Sequence, residues 1–472
     1  MVTQRLASYA SHLPDPISRA LKAARNLVVD PLPRSATLSI LAPGLDGSQI
    51  SLNYRGRGLE FTHRVTLSEG ISIDHLSPEL RDGLLLALSL AMAPHLFVLT
   101  DFARVDVTWG SLTTAQSTFW SWYLQGGLGQ FRYQQGLDPT RPIRVDAPLA
   151  SPQSAPNVPA LREAALVLNG GGKDTIVASE LIREAGLPFE WLSGNPTRAH
   201  RALIDASGVS VSNEVRWHRD PALKAAGRYD RRHVPFVAVY LVLGTLVAAC
   251  RGLRYVVVGN ERSADDGNVV LNGLEVNHQF SKTHAFESAF QTHVVDALGL
   301  PMHVFSVLRP FYEIRLAQIV SQHPEYFHAF VSCNRQGTDS VWCGTCAKCA
   351  FIALALGPFV TRDALNGIFG TDILAHPGIR RHWLALVQEG VKPWECVGTK
   401  DESRLALALL LRRHADVRFA EGPTRAALES EVTGIDTTAL EDVYLRGFHA
   451  PHNIPTNLVD AIHAAADRHS IR

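Results

Sequence analysis

The chain has 472 residues, of which 46% are hydrophobic and 19% charged, with 45 Lys and Arg against 45 Asp and Glu. That length is roughly three times the ~150 residues of a common domain, so two or three compact units are expected, and the composition excludes disordered, collagen-like and coiled-coil chains. Balanced charge gives no support to broad nucleic-acid or anionic-membrane binding, which leaves small molecules as the expected partners.

The opening MVTQRLASYASHLPDPISRALKAARNLVVDPLP carries charges and prolines where a secretory segment would be uninterrupted and apolar, so the chain is read as cytoplasmic. Up to about residue 150 the patterns are mixed. SATLSILAPG, SQISLNYRG and LEFTHRVTL alternate like strands, SPELRDGLLLALSLAMA has a helical period with Ser77 as N-cap, and an aromatic-rich helix is expected from Thr114 to Gln134. These features predict an N-terminal α+β domain over residues 1–150. APLASPQSAPNVPA, rich in Pro, Ala and Ser, marks a boundary near residues 147–160.

Over residues 151–359 short apolar runs alternate with helical periods. EAALVLN, PFEWLSG, VSVSNEVRW, RYVVVGN and MHVFSV read as strands, and the segments after Asp174, before Cys250, after Lys282 and after Pro310 as helices. This rhythm predicts an α/β fold, an open and mostly parallel sheet covered by helices. Val234 to Cys250 is the one near-membrane stretch, but it contains a Pro, a Gly and a Thr and falls short of the ~20 residues of a span. It is read as a buried helix, with no membrane insertion. From about residue 360 to residue 472 the pattern is helical, as in RRHWLALVQEG and DESRLALALLLRRH.

The most informative local feature is LVLNGGGKDTIVASELIREAG, a buried-strand pattern that runs through three glycines into a helical period. Glycines permit a positive-φ turn that aims backbone N–H groups at one point, and the helix N-terminus adds partial positive charge, which together make a phosphate cradle. The kinase-type loop and the dinucleotide fingerprint are both unmet. A glycine-rich turn without a ligand is the plain alternative. The loop resembles the SGGxDS signature of the PP-loop ATP pyrophosphatases, with Gly170, Gly171, Gly172, Lys173, Asp174 and Thr175 in register. Gly170 replaces the first Ser and Thr175 the last. The resemblance implies a PP-loop parallel-sheet domain that uses ATP. In it the amides of Gly171 to Thr175 would hold pyrophosphate, Lys173 would offset its charge and Asp174 would help place Mg2+. Ser193, Gly194 and Asn195 would lie where adenine is received.

VVVGNERSADDGN ends a strand with Gly259, Asn260, Glu261 and Arg262, which would face the same crevice, since ligands in open α/β sheets sit beyond the carboxyl ends of strands. An acidic surface turn is the alternative. Cys333, Cys343, Cys346 and Cys349 form C-x9-C-x2-C-x2-C, four thiols able to close a tetrahedral shell around a structural Zn2+. An iron–sulfur cluster or buried metal-free thiols would use the same residues, and ligand type and count favour zinc. A similar cluster occurs in the PP-loop enzymes that make 7-cyano-7-deazaguanine. Lys348, inside the knuckle, could screen thiolates or reach a phosphate, and Cys250 is read as core.

Taken together, LNGGGKD, VGNERSADDGN, EVNHQFSKTHAFE, SCNRQG-x4-WCGTCAKCAF and KPWECVGTKDE resemble the UDP-N-acetylmuramoyl-L-alanyl-L-glutamate epimerases of an alternative peptidoglycan pathway. The resemblance implies ATP-dependent adenylation of the terminal L-Glu carboxylate of UDP-MurNAc-L-Ala-L-Glu, inversion at its α-carbon, and release of AMP and pyrophosphate. The proton-carrier candidates are His278 and His284, with Glu275 and Glu287 nearby, and Cys396, with Glu395 and Glu402. Arg262, Lys282 and Arg335 are candidates for substrate carboxylate or phosphate contacts. Competing readings are a PP-loop enzyme that forms an amide or nitrile from an adenylated intermediate, and a non-catalytic nucleotide sensor.

Overall fold

A computed structural model describes residues 36–150, 160–229, 234–333, 335, 340–389, 393–415 and 424–470. Ten strands share one sheet. The first group is β1 (Thr37–Asp46), β2 (Gln49–Gly56), β3 (Leu59–Leu67), β4 (Arg104–Val107) and β5 (Arg144–Asp146). The second is β6 (Arg162–Asn169), β7 (Phe189–Gly194), β8 (Ser212–His218) and β9 (Leu253–Val258). A small separate hairpin pairs β10 (Val269–Leu271) with β11 (Leu274–Val276), and β12 (His303–Ser306) returns to the large sheet. Its order is β12-β9-β6-β7-β8-β3-β2-β1-β4-β5, and six of its nine pairings are parallel.

The strand sequences show why each lies where it does. Ala164 to Val167 in β6 are all buried, a near-continuous apolar run suited to a parallel strand covered on both faces. In β2 buried and half-buried residues alternate, as in an antiparallel strand with one face turned to the core. The sheet thus separates two hydrophobic cores: Leu166 and Val256 face one, and Ala165, Val167, Tyr255 and Val257 face the other.

The first core is covered by helices α1 (Pro78–Met92), α2 (Thr114–Gly127) and α4 (Phe236–Arg251), the second by α3 (Lys173–Glu184), α6 (Glu313–Val320), α7 (Ala347–Leu356), α8 (Lys400–Arg413) and α9 (Thr456–Arg468). A short helix, α5 (His284–Phe290), carries Phe286 and Phe290 into the first core. The hydroxyl of Ser77 caps α1 by accepting from the Leu80 N–H at 3.3 Å. The helix expected over Thr114–Gln134 is interrupted at Leu128, and a separate helix covers Gly129–Gln135. The 234–250 stretch forms a core helix from Phe236 onward. A second apolar segment, Pro78–Val98, is long enough to cross a membrane but is mostly buried inside the protein. After residue 360 only helices occur among the described residues.

Two features position the site. The chain places β7 and β8 to one side of β6, then crosses to place β9 and β12 on the other, so the switch point lies between β6 and β9, with the glycine turn and the Gly259 turn at their carboxyl ends. The strands before residue 147 also join those after 160 directly, through antiparallel pairing of Arg64–Leu67 in β3 with Val215–His218 in β8.

Candidate active site

At the end of β6 the backbone turns sharply, and Gly171 has a φ of +74°, a conformation that favours glycine. The turn is closely packed. A Cβ at Gly172 would lie 2.7 Å from the Ser332 hydroxyl, and one at Gly259 would lie 3.2 Å from the carbonyl oxygen of Asp174. A side chain at either position would press on its neighbours where the two turns meet.

Three of the amides assigned to pyrophosphate have partners within the chain. The Gly171 N–H donates to the Asn169 side chain at 2.9 Å, Lys173 N–H to the Ser332 hydroxyl at 3.0 Å, and Thr175 N–H to the Gly172 carbonyl at 3.1 Å. The Thr175 hydroxyl itself accepts from the Gly170 N–H at 2.9 Å. Ser332, absent from the sequence expectation, thus supplies a hydroxyl to a loop whose signature serine is Gly170.

Around this turn lies a mixed-charge cluster. Candidate ligand oxygens of Asp174, Glu261 and Glu313 all lie within 4.8 Å of one another. The fully buried Lys173 ammonium contacts the carboxylates of both Asp174 and Glu313. Lys348 lies 3.7 Å from Glu313 and donates to the carbonyl of Cys396. Lys282 completes the cluster electrostatically. Burial works against its charge, but Cys396, Glu261, Asp174 and Glu313 together hold it well above the usual lysine range. Lys173 is likewise raised, as Asp174, Glu313 and Glu261 outweigh its burial.

The carboxylates respond differently. Burial pushes the Asp174 carboxyl up, but Lys173, Lys348 and Lys282 pull it further down, so it stays below its usual range. Glu313 is pushed up to about 7 by burial, with Glu261 and Asp174 reinforcing that effect against Lys173 and Lys348. Glu261 is fully buried, and neither carboxylate oxygen has a hydrogen-bond partner among the described residues. A desolvated carboxylate of this kind costs several kcal/mol unless a cation compensates it. Three converging oxygens, one group of them orphaned, fit a hard divalent cation such as Mg2+. On the same turn, the side-chain amide nitrogen of Asn260 is also buried without a partner among the described residues.

Beyond the far side of Ser332 sit the four cysteines. Sγ–Sγ distances are 3.9 Å for Cys333–Cys346, 3.8 Å for Cys343–Cys349 and 3.6 Å for Cys346–Cys349. A tetrahedron with Zn–S bonds of about 2.3 Å has edges of about 3.8 Å, so the thiols fit zinc. Backbone N–H groups of Arg335 and Cys349 point at the Cys333 and Cys346 sulfurs at 3.3 and 3.4 Å.

Comparison with known sequences decides the family. The model of the MurL N-terminal domain matches residues 35–307, and that of the MurL C-terminal domain matches residues 329–435. The chain belongs to the MurL family. Similar proteins include the UDP-N-acetyl-alpha-D-muramoyl-L-alanyl-L-glutamate epimerases of Xanthomonas oryzae pv. oryzae (35% identical, covering 72% of this chain and 76% of the relative) and Micromonospora sp. (34%, 71% and 76%). The enzyme of the same name from Salinispora tropica is 33% identical over 71% of this chain and 74% of its own. This is an epimerase family, and the chain is an isomerase of it. The charge cluster draws on both matched MurL regions: Asp174, Glu261 and Lys282 come from the first, Lys348 and Cys396 from the second, and Glu313 from the stretch between them.

The remaining candidates are engaged elsewhere. Ser193 is fully buried and its hydroxyl accepts from Asn169 at 3.2 Å. The Gly194 carbonyl accepts from the Tyr240 hydroxyl at 3.2 Å, and Asn195, with a φ of +44°, is bonded to the Trp217 backbone. His278 meets Gln130 at 2.6 Å, and the His284 ring meets Ser288 at 3.3 Å, so the hydrogen bonds described for these two rings do not reach the cluster. Glu275 is exposed on β11, and Glu287 is held by Asn453 at 3.0 Å. Arg262 donates to the Ala450 carbonyl at 2.7 Å, while Arg335 is exposed beside the cysteines.

The expectation of a proton carrier at Glu402 meets a different arrangement. Its buried carboxylate accepts from Ser263 at 2.6 Å, Thr399 N–H at 2.7 Å and Ile314 N–H at 3.2 Å, and with Thr399 it forms the capping box of α8. It braces three segments at once. Glu313 and Ser332 were the residues sequence reasoning missed. The signal for Glu313 was a carboxylate opening a helix soon after the strand MHVFSV, on the same sheet edge as the glycine turn.

Proposed function

We propose that the protein is an ATP-dependent epimerase that inverts the terminal L-Glu of UDP-MurNAc-L-Ala-L-Glu, using a PP-loop site at the switch point between β6 and β9. The observation that carries this reading is the cluster of three carboxylates and three lysines gathered on the glycine turn. The peptide-bound glutamate has its amine locked in an amide and cannot form an imine. Removing its α-proton beside an ionised carboxylate would place two negative charges on one small unit, which a dry site disfavours strongly.

Activation removes that difficulty. A carboxylate oxygen attacks the α-phosphorus of ATP, forming an acyl O–P bond while the bridging bond to the β-phosphate breaks and pyrophosphate leaves. With the standing charge gone, a side chain removes the α-proton, a proton returns to the opposite face, and water cleaves the acyl adenylate to carboxylate and AMP. Mg2+, held by Asp174, Glu261 and Glu313, would neutralise phosphate charge. Lys173 and Lys348 keep the three carboxylates from repelling the triphosphate, and the Asn260 amide has a hydrogen to donate to a ligand oxygen. Lys282 suits the substrate carboxylate. Among the sequence-derived proton carriers, Cys396 has the best support, because it interacts electrostatically with Lys282 and its backbone carbonyl accepts from Lys348, which places it at the charge cluster. The four cysteines would hold a structural Zn2+ that fixes Ser332 against the loop. Use of ATP and a UDP-linked precursor would suit a cytoplasmic reaction.

Incubation with ATP, Mg2+ and UDP-MurNAc-L-Ala-L-Glu in D2O tests the reading. It requires D-Glu carrying deuterium at the α-carbon and AMP in step with it. Product without the label, or AMP formed without inversion, rejects it. Asp174→Asn should abolish AMP formation, and retained turnover would remove the metal-placing role.

A further inference from the structure

A second set of metal-ligating side chains lies at the end of α3 remote from the glycine turn, about 18 Å along the helix, and no step above uses it. Glu184 closes α3, His323 lies in the turn after α6, and His469 follows the last residue of α9. One candidate ligand atom from each lies within 4.8 Å of the others, and the imidazole rings of His323 and His469 are 5.0 Å apart.

His323 keeps an unpartnered nitrogen among the described residues, while Glu184 and His469 face each other, and a bound ion would take the place of the proton between them. Arg468 occupies one carboxylate oxygen of Glu184, Oε2, at 2.9 Å from Nε and 2.7 Å from its terminal nitrogen. The other oxygen, Oε1, faces Nε2 of His469 at 2.6 Å. His323 has its Nδ1 against Glu325 at 3.1 Å, which fixes the proton on that nitrogen and leaves the Nε2 lone pair free. That Nε2 is turned inward, shut off from solvent, and without a partner among the described residues. A carboxylate behind one imidazole nitrogen with the other left open is the outer-shell arrangement of metal-bound histidine.

We propose that Glu184, His323 and His469 form a binding site for a divalent transition-metal ion of the zinc class, with water completing the shell. The ligands are two imidazole nitrogens and one carboxylate oxygen, a set that suits zinc and cobalt rather than magnesium. A bound ion ties together the ends of α3 and α9 and the turn after α6. It is separate from the four-cysteine site in both place and ligand chemistry.

The test titrates the full chain with CoCl2, and separately with ZnCl2, comparing the native sequence with His323→Ala and with His469→Gln, all carrying the same cysteines. His469→Gln keeps a donor towards Glu184 and serves if the His323 variant does not fold. The native chain should take up one more metal equivalent than either variant. The extra Co2+ should show ligand-field bands without sulfur-to-metal charge transfer. Glu325→Gln should retain the equivalent with affinity weakened about 10–100-fold. Equal uptake by the native chain and a folded variant, or sulfur-ligated spectra for the extra ion, overturns the proposal.

Discussion

Replacing Lys173 by Met keeps the reach of the side chain and deletes its charge. Lys173 is fully buried and contacts the carboxylates of Asp174 and Glu313, the latter also fully buried. Breaking a buried pair by removing one partner costs about 3–5 kcal/mol. Unfolding entropy is about 2.1 cal/mol/K per residue, or about 1 kcal/mol/K for this chain, so the melting temperature should fall by about 3–5 °C. The loss should depend on pH. Glu313 has a folded-state pKa raised to about 7 from 4.5. Stability from its protonation is therefore fully present below about 4.5 and is lost as pH rises through about 7. At pH 8 Glu313 is ionised in the native protein, whereas the variant, having lost the cation that holds this carboxyl down, must either ionise it without Lys173 or take up a proton; at pH 5 the carboxyl is protonated in both proteins. Thermal unfolding followed by circular dichroism should show a larger gap between native and variant at pH 8 than at pH 5. Equal melting temperatures at pH 8, or a gap that widens on acidification, would refute the assigned pairing.

Removing the Ser332 hydroxyl with Ser332→Ala takes away the acceptor of the Lys173 N–H. A hydrogen bond of this kind contributes about 0.5–1.5 kcal/mol, so KM for ATP should rise roughly 2- to 13-fold with the melting temperature little changed; an unchanged KM would detach Ser332 from the loop. Cys346→Ser should lower the metal content by one zinc per chain and lower the melting temperature, and an unaltered zinc content would reject the four-thiol site. Gly259→Ala, whose added methyl would meet the Asp174 backbone at 3.2 Å, should depress kcat while the circular dichroism spectrum is retained, and full activity would show that the two turns can separate.

Much of the central sheet was legible because β6 and β9 are near-continuous buried apolar runs and β8 alternates cleanly. EAALVLN, PFEWLSG, VSVSNEVRW, RYVVVGN and MHVFSV all correspond to strands. The N-terminal strands were likewise legible by their alternation. What escaped was short: β4 and β5 have four and three residues, too few for a period to register. The break at Leu128 also escaped, since Leu128 and Gly129 are both buried and the apolar pattern runs through them. In the site, the glycine turn and the cysteines announced themselves by spacing within a few residues. Glu313 and Ser332 could not, because each reaches the loop from about 140 and 159 residues away in sequence. Glu402 misled for a related reason. A carboxylate three residues after a Thr is also a helix-start signal, and its cap role is the one its hydrogen bonds show.

The pairing of β3 with β8 bears on any attempt to divide the molecule. A fragment starting at residue 160 would retain the glycine turn and every member of the charge cluster, yet β8 would lose its neighbour along Val215–His218. Val215 and Trp217, which pack in the core shared with β1 to β3, would be uncovered beside an open row of backbone donors and acceptors. Such a bare border recruits foreign strands. The isolated fragment should therefore precipitate or self-associate, and co-expression with residues 36–150 should restore a dispersed species.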